Sequence, residues 1–183
     1  TPLVQSESSS VGVVINHQKV VELSLNGRQF ESLAQLVPGA VSPAPGSALS
    51  FRGGFNAAGA RETANNNILD GIDNNDPAIN NFTLRPILDS IQEFKVLANS
   101  YSAEFGRSGG AQVIVSTRSG TNEFHGNGFY FVRDDAFDKP NYFSQQVPPF
   151  KAAQYGVTIG GPIKLDKTHF FFSYERRTSD RSS

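Results

Sequence analysis

The stretch QYGVTIGGPIKLDKTHFFFSYER, residues 154–176, decides the fold. Its first part alternates Tyr155, Val157, Ile159 and Gly161 with Gln154, Gly156, Thr158 and Gly160. Its last part alternates Thr168, Phe170, Phe172, Tyr174 and Arg176 with His169, Phe171, Ser173 and Glu175. A period of two belongs to a strand whose two faces meet different surroundings. Upstream, FHGNGFYFVR (124–133) repeats the pattern. Phe124, Gly126, Gly128, Tyr130 and Val132 make an apolar or small face, and His125, Asn127, Phe129, Phe131 and Arg133 mix polar groups with two phenylalanines. Segments of about ten alternating residues are the signature of membrane β-strands. The connections agree: a long polar, proline-containing one at 134–153 and a short one, KLDK, at 164–167. Membrane barrels alternate long outer loops with short periplasmic turns. The first segment then runs outward and the second returns. FFFSY (170–174) supplies the lipid face and aromatic girdle of the third. Three strands cannot close a barrel, and an open edge has no place in lipid, so the expected barrel is incomplete within this chain.

The first 120 residues follow another grammar. TPLVQSESSS (1–10) is polar and reads as a linker from an upstream domain. VGVVI (11–15) is a β-branched run and a predicted strand. In LSLNGRQFESLAQLVPG (23–39), Asn26 is a candidate N-cap. Phe30, Leu33, Leu36 and Val37 share a helical face, and Pro38-Gly39 ends the helix. Residues 38–60 read mostly as loop. NNNILDGIDNNDP (65–77) is a strand entering an Asp70-Gly71 turn. LRPILDSIQEFKVLANS (84–100) places Leu84, Ile87, Leu88 and Ile91 at helical spacing, then alternates at Phe94, Val96 and Ala98, predicting helix then strand. A helical turn in SAEFG and a strand near 111–117 complete a small α+β domain, a mixed sheet with short helices.

Composition narrows the function classes. The chain has 183 residues and a net charge of −1, so no bulk field draws nucleic acid, and no nucleic-acid partner is expected. Cysteine is absent, which excludes disulfides and thiolate metal sites and fits an oxidising compartment. Methionine is also absent, so translation is expected to start upstream of Thr1, with any signal peptide removed. No apolar run approaches the roughly 20 residues of a spanning helix.

The motifs LSLNGRQFESLAQLVPG, FRGG (51–54), NNILDGIDNND (66–76), SIQEFKVLANSYSAEFGRSGGAQVIVSTRSGTNEFHG (90–126) and GVTIGGPIKLDKTHFFFSYE (156–175), in this order, resemble the TonB-dependent outer-membrane receptors. The match is to the Oar-like group that follows a carboxypeptidase-regulatory-like domain. The resemblance implies a plug domain over 11–120 and the first three strands of an outer-membrane β-barrel over 121–183. It implies a barrel of about 22 strands with the plug in its lumen. The implied setting is the outer membrane of a Gram-negative type bacterium. The implied partners are outer-membrane lipid, a small nutrient ligand and an inner-membrane TonB-type energy-coupling complex. The coupling box would lie upstream of Thr1. The implied activity is gated uptake without catalysis.

The candidate site residues follow from the same comparison. Arg52, Arg107 and Arg118 each stand beside Gly or Ser. Plug arginines in the family make charge-assisted hydrogen bonds to barrel carboxylates; a solvated arginine is the alternative reading. FRGGFNAAGARETANNN (51–67) is a candidate substrate-facing loop carrying Arg52, Asn56, Arg61 and Asn65, or else a connector. Asp70, Asp73, Asn74 and Asp76 have the oxygen count of a calcium loop but lack its later glutamate, so the turn reading is preferred. His17, His125 and His169 lack metal spacing. No G-x-S-x-G, dinucleotide or phosphate-loop pattern occurs, and no cofactor is expected. The rival reading is a secreted, soluble β-rich adhesin or carbohydrate-binding domain; a hydrolase comes after it.

Overall fold

The computed structural model describes residues 11–23, 25, 28–47, 54–99, 101–106, 108–137, 139 and 150–180. The chain divides into two compact units, Thr1–Arg118 and Ser119–Ser183.

The N-terminal unit is built on a mixed sheet. Its strands are β1 (Val11–Asn16), β4 (Asn66–Leu69), β5 (Ile72–Asp73), β6 (Ile91–Asn99) and β7 (Gln112–Thr117), and a separate small ladder pairs β2 (Ala40–Val41) with β3 (Asn56–Ala57). The sheet order is β1-β6-β7-β4-β5. All its pairs are antiparallel except β4 with β7. Phe94, Val96, Val113 and Val115 are fully buried in the two central strands. Above them pack Val20, Phe30, Leu33, Ala34 and Val37. The Phe30 ring meets Phe82 and Phe94 edge-on, with centroids 5.2 and 5.8 Å apart. Such pairs add about 0.5–1.5 kcal/mol beyond their burial.

Two expected helices are corrected. Residues 84–91 hold no α-helix: Leu88–Ser90 is one 3-10 turn, Ile91 already begins β6, and Leu84 is exposed. A helix entered at Pro86 would have fewer than two turns before the period-two run takes over, and so short a helix cannot offset its nucleation cost. The helix of 26–37 is instead a 3-10 helix, Phe30–Leu36, preceded by an extended Gln29. Phe30, Leu33 and Val37 are buried as expected, Leu36 is exposed, and Asn26 lies outside the described residues. The α-helix that does form, α1 (His17–Glu22), was not expected. The Asn16 side chain caps it by accepting from the Lys19 N–H at 3.1 Å.

The C-terminal unit is an antiparallel sheet, β8 (His125–Asp134), β9 (Lys151–Lys164) and β10 (Thr168–Asp180), in the order β10-β9-β8. β9 and β10, at 14 and 13 residues, are longer than the alternating segments suggest, and a short turn at 165–167 joins them. The outer edges of β8 and β10 have no strand partner among the described residues, so the sheet is open. No helix in the described residues is long and apolar enough to cross a membrane, which says nothing about strands.

Candidate functional site

Arg118 stands where β7 ends. Its backbone N–H donates to the Ser90 carbonyl at 2.8 Å, and its Nη1 lies 3.3 Å from Nε2 of His17. The other ring nitrogen of His17, Nδ1, is 2.7 Å from the Ile91 carbonyl. A carbonyl only accepts, so Nδ1 carries the proton and Nε2 is left to accept from Arg118. The guanidinium thus joins α1 to the β6 and β7 ends within its own unit. Arg52 and Arg107 lie outside the described residues.

In the 51–67 stretch, Asn56 sits half-buried in β3, and Arg61 is exposed just before a 3-10 turn, Glu62–Ala64. Asn65 is buried. Its Nδ2 donates to the Phe55 carbonyl at 2.7 Å, and its Oδ1 accepts from the Ala111 N–H at 3.0 Å. Gly110 makes room for it, since a Cβ there would stand 2.6 Å from that Oδ1 and 2.8 Å from the Ala64 carbonyl oxygen. The structure therefore separates the four loop candidates. Arg61 is open to solvent, Asn65 is committed to holding the loop base on β7, Asn56 lies between, and Arg52 is not described.

A lattice of side-chain amides extends from Asn65. Asn75 Nδ2 donates to Asn66 Oδ1 at 2.7 Å, and Asn75 Oδ1 accepts from both the backbone and the side chain of Asn67. Asn74 donates to and accepts from the Leu84 backbone, each at 2.8 Å, as a neighbouring strand would. Asn80 ties the backbone carbonyls of Thr63 and Asn65. These side chains saturate backbone groups where the sheet ends. No sequence periodicity announces this, because the partners are set by strand register.

The Asp70-Gly71 turn forms as read, with both residues at positive φ, 50° and 82°. The Asp70 carboxylate accepts from the Thr117 N–H at 2.7 Å and from its hydroxyl at 2.8 Å. Asp73 and Asp76 accept from local N–H groups. The three carboxylates thus serve three turns, and no group of metal-ligating side chains converges among the described residues.

Two ion pairs brace the 3-10 helix region. Arg28 bonds the buried Asp89. Arg85 lies 3.2 Å from the buried Glu31. Burial pushes the Glu31 carboxyl above its usual range, against the opposing pull of Arg85 and of its own backbone N–H.

In the C-terminal unit, register sorts the side chains into two faces. One carries Tyr130, Val132, Tyr155, Val157, Ile159, Phe172 and Tyr174, all exposed hydrophobics. The other carries His125, Asn127, Phe129, Phe131, Gln154, Thr158, Phe171, Ser173 and Glu175. Phe171 therefore points away from Phe170 and Phe172, which narrows the FFFSY lipid face to alternate residues. On the polar face β9 is small, and its neighbours lean over it. A Cβ on Gly156 would meet the Phe129 ring at 2.7 Å, and His125 stacks with Phe171 beside Gly160, centroids 6.5 Å apart. Apolar-out, polar-in alternation is what a membrane barrel strand requires.

Comparison with known proteins agrees with this geometry. Residues 116–183 match the family model described as "Outer membrane beta barrel domain". Over 189 aligned residues the chain is 28% identical to the TonB-dependent transporter Oar of Myxococcus xanthus, covering 94% of this chain and 17% of that protein. The chain thus spans about a sixth of that relative's length. The outer membrane transporter YddB from Escherichia coli superposes with a TM-score of 0.72 at 16% identity, over 93% of this chain and 26% of that one. The siderophore receptor PirA from Acinetobacter baumannii superposes at 0.65 and 18%, over 92% and 24%. These solved structures carry the fold, a mixed sheet with short helices followed by antiparallel barrel strands. The chain is thus similar over most of its length to a TonB-dependent outer-membrane transporter, its C-terminal residues match an outer-membrane barrel domain left open within the described residues, and its place is the outer membrane.

Proposed function

We propose that the chain is the gating portion of a transporter that takes up a scarce small nutrient across the outer membrane, driven by an inner-membrane TonB-type complex. Residues 11–120 are the plug, 121–183 the first barrel strands, and 1–10 the link to an upstream domain. The observation that carries this reading is the sequence of units: a self-contained mixed sheet, with its own buried core, runs straight into membrane-type strands. A sheet of that kind in a barrel lumen obstructs an otherwise open channel.

Arg52 and Arg107 hold the plug to barrel carboxylates, Arg118 braces α1 within the plug through His17, and Arg52, Asn56 and Arg61 face the ligand. Asn65 supports that loop from beneath. The names of the relatives include a siderophore receptor, and a metal chelate is one nutrient class this reading admits.

The test is deletion of 11–118 from the full-length receptor in its own outer membrane. The deleted receptor should still insert but admit vancomycin-sized solutes that intact cells exclude. Cells lacking the receptor should grow poorly on one limiting iron, cofactor or oligomer source. A deleted receptor that inserts yet stays sealed would sink the gating role.

A further inference from the structure

We infer that Tyr130, Tyr155 and Arg176 form a binding site for the phosphate of an outer-leaflet lipid headgroup, on the outside of the barrel. The inference rests on the membrane reading of the C-terminal unit.

Register puts these three residues in one row across β8, β9 and β10: Tyr130 faces Tyr155, and Tyr155 faces Arg176. All three belong to the apolar face. Tyr130 is 68% exposed and Tyr155 37%, their ring centroids are 6.2 Å apart, and Arg176 is exposed. Among the described residues, neither hydroxyl nor the guanidinium has a hydrogen-bond or ion-pair partner.

An arginine on a lipid-facing barrel surface costs about 2–4 kcal/mol at the bilayer midplane and close to nothing at the interface. Arg176 must therefore mark an interface, and the row beneath it agrees. Gly128, Val157 and Tyr174, then Gly126, Ile159 and Phe172, are all small, aliphatic or aromatic. From Ile163, at the short-turn end, to Tyr155 is eight residues, roughly 26 Å along the strand. At the usual tilt that is about 20 Å of height, most of an apolar band of about 25 Å. The row lies towards the ends of β8 and β9 joined by the long connection, the end expected to face outward.

At that level the counter-charges are lipid phosphates. Tyrosine hydroxyls donate single hydrogen bonds, and a guanidinium donates a fork that matches two phosphate oxygens. Strand spacing of about 4.8 Å puts the three donors within reach of one headgroup. The competing carboxylates, Asp134 and Asp180, stand two rows further out, flanking Lys151, whose Nζ is 3.6 Å from Asp134. Arg176 is thus the cation at girdle height, and the lipid is its partner.

The experiment uses the full-length receptor in phosphatidylcholine nanodiscs doped with phosphorylated lipid A, with dephosphorylated lipid A as control. Native mass spectrometry counts retained lipid, and heat-modifiable gel mobility reports barrel insertion. The phosphorylated lipid should be retained, and Arg176→Gln should lower its retention about tenfold, the size of a lost charge-assisted hydrogen bond. Arg176→Lys should restore part of it, and Tyr130→Phe with Tyr155→Phe should weaken it further. Inorganic phosphate at millimolar levels should not displace it; displacement would mean a free-phosphate site and overturn the lipid assignment. Equal retention by inserted wild type and Arg176→Gln, or equal retention of the dephosphorylated lipid, would overturn the site while leaving the membrane reading intact. Failure of the wild type to insert would overturn both.

Discussion

Glu31 is a carboxylate surrounded by apolar packing, with one arginine at its edge. Burial makes it bind its proton more tightly in the folded chain than in the unfolded one. Such a group costs stability as pH rises past its unfolded value, here the ordinary 4.5, until the folded value is also passed. The N-terminal unit should therefore weaken by this contribution as pH rises above about 4.5, and Glu31→Gln should lack that part of the decline. Hydrogen exchange of the 30–37 segment in the full receptor, corrected for intrinsic rates, measures it; identical pH profiles would refute the assignment. Glu31 shows where sequence reading stops. Phe30, Leu33 and Val37 announce a buried face through their spacing, but a charge among them reads as solvent-facing. Only the approach of Arg85, distant in sequence, makes its burial tolerable. The asparagine run is a similar case: its turn-forming character is legible, its cross-strand amide bonds are not.

β9 shows how an element is specified from both faces. Tyr155, Val157 and Ile159 are readable as a membrane face because alternation needs no partner. The glycines opposite them gain meaning only with β8 and β10 alongside, since Phe129 occupies the space over Gly156 and a Cβ there would stand 2.6 Å from the Tyr174 carbonyl. Gly156→Val should displace that ring and strain the β9–β10 ladder, at about 1–3 kcal/mol for overpacking. The folded, heat-modifiable fraction of the receptor should fall, while Thr178→Val on the exposed face should leave it unchanged. Equal folded fractions for both variants would show that the ring does not depend on the glycine. Elsewhere, local period misled: the spacing of Leu84, Ile87, Leu88 and Ile91 fits a helix as well as a turn leading into β6, and chain length, not period, separates the two.

At the scale of the molecule, the change of grammar near residue 120 was legible because each half obeys a different solvent. The N-terminal unit turns its apolar residues inward; the C-terminal unit turns them outward. Residues 119–183 made alone in water should therefore associate through their open edges and the Tyr130–Phe172 face. Analytical ultracentrifugation should find large, polydisperse species, and a soluble monomer would refute the membrane assignment. The arginines expected to bridge plug and barrel were not legible to the same degree: Arg118 meets His17 within its own unit, and Arg52 and Arg107 lie outside the described residues.

The start of β4 is tied to the segment after β5 by amides rather than by charges, and this bears on the water around the cell. Between about 0.01 and 1 M salt the screening length falls from about 30 Å to about 3 Å, and exposed ion pairs fade with it. An amide–amide bond has no net charge to screen, and the Arg28–Asp89 pair is shielded by burial. A sheet edge fastened in this way holds from fresh water to brine, leaving ionic strength to act on the charged contacts elsewhere.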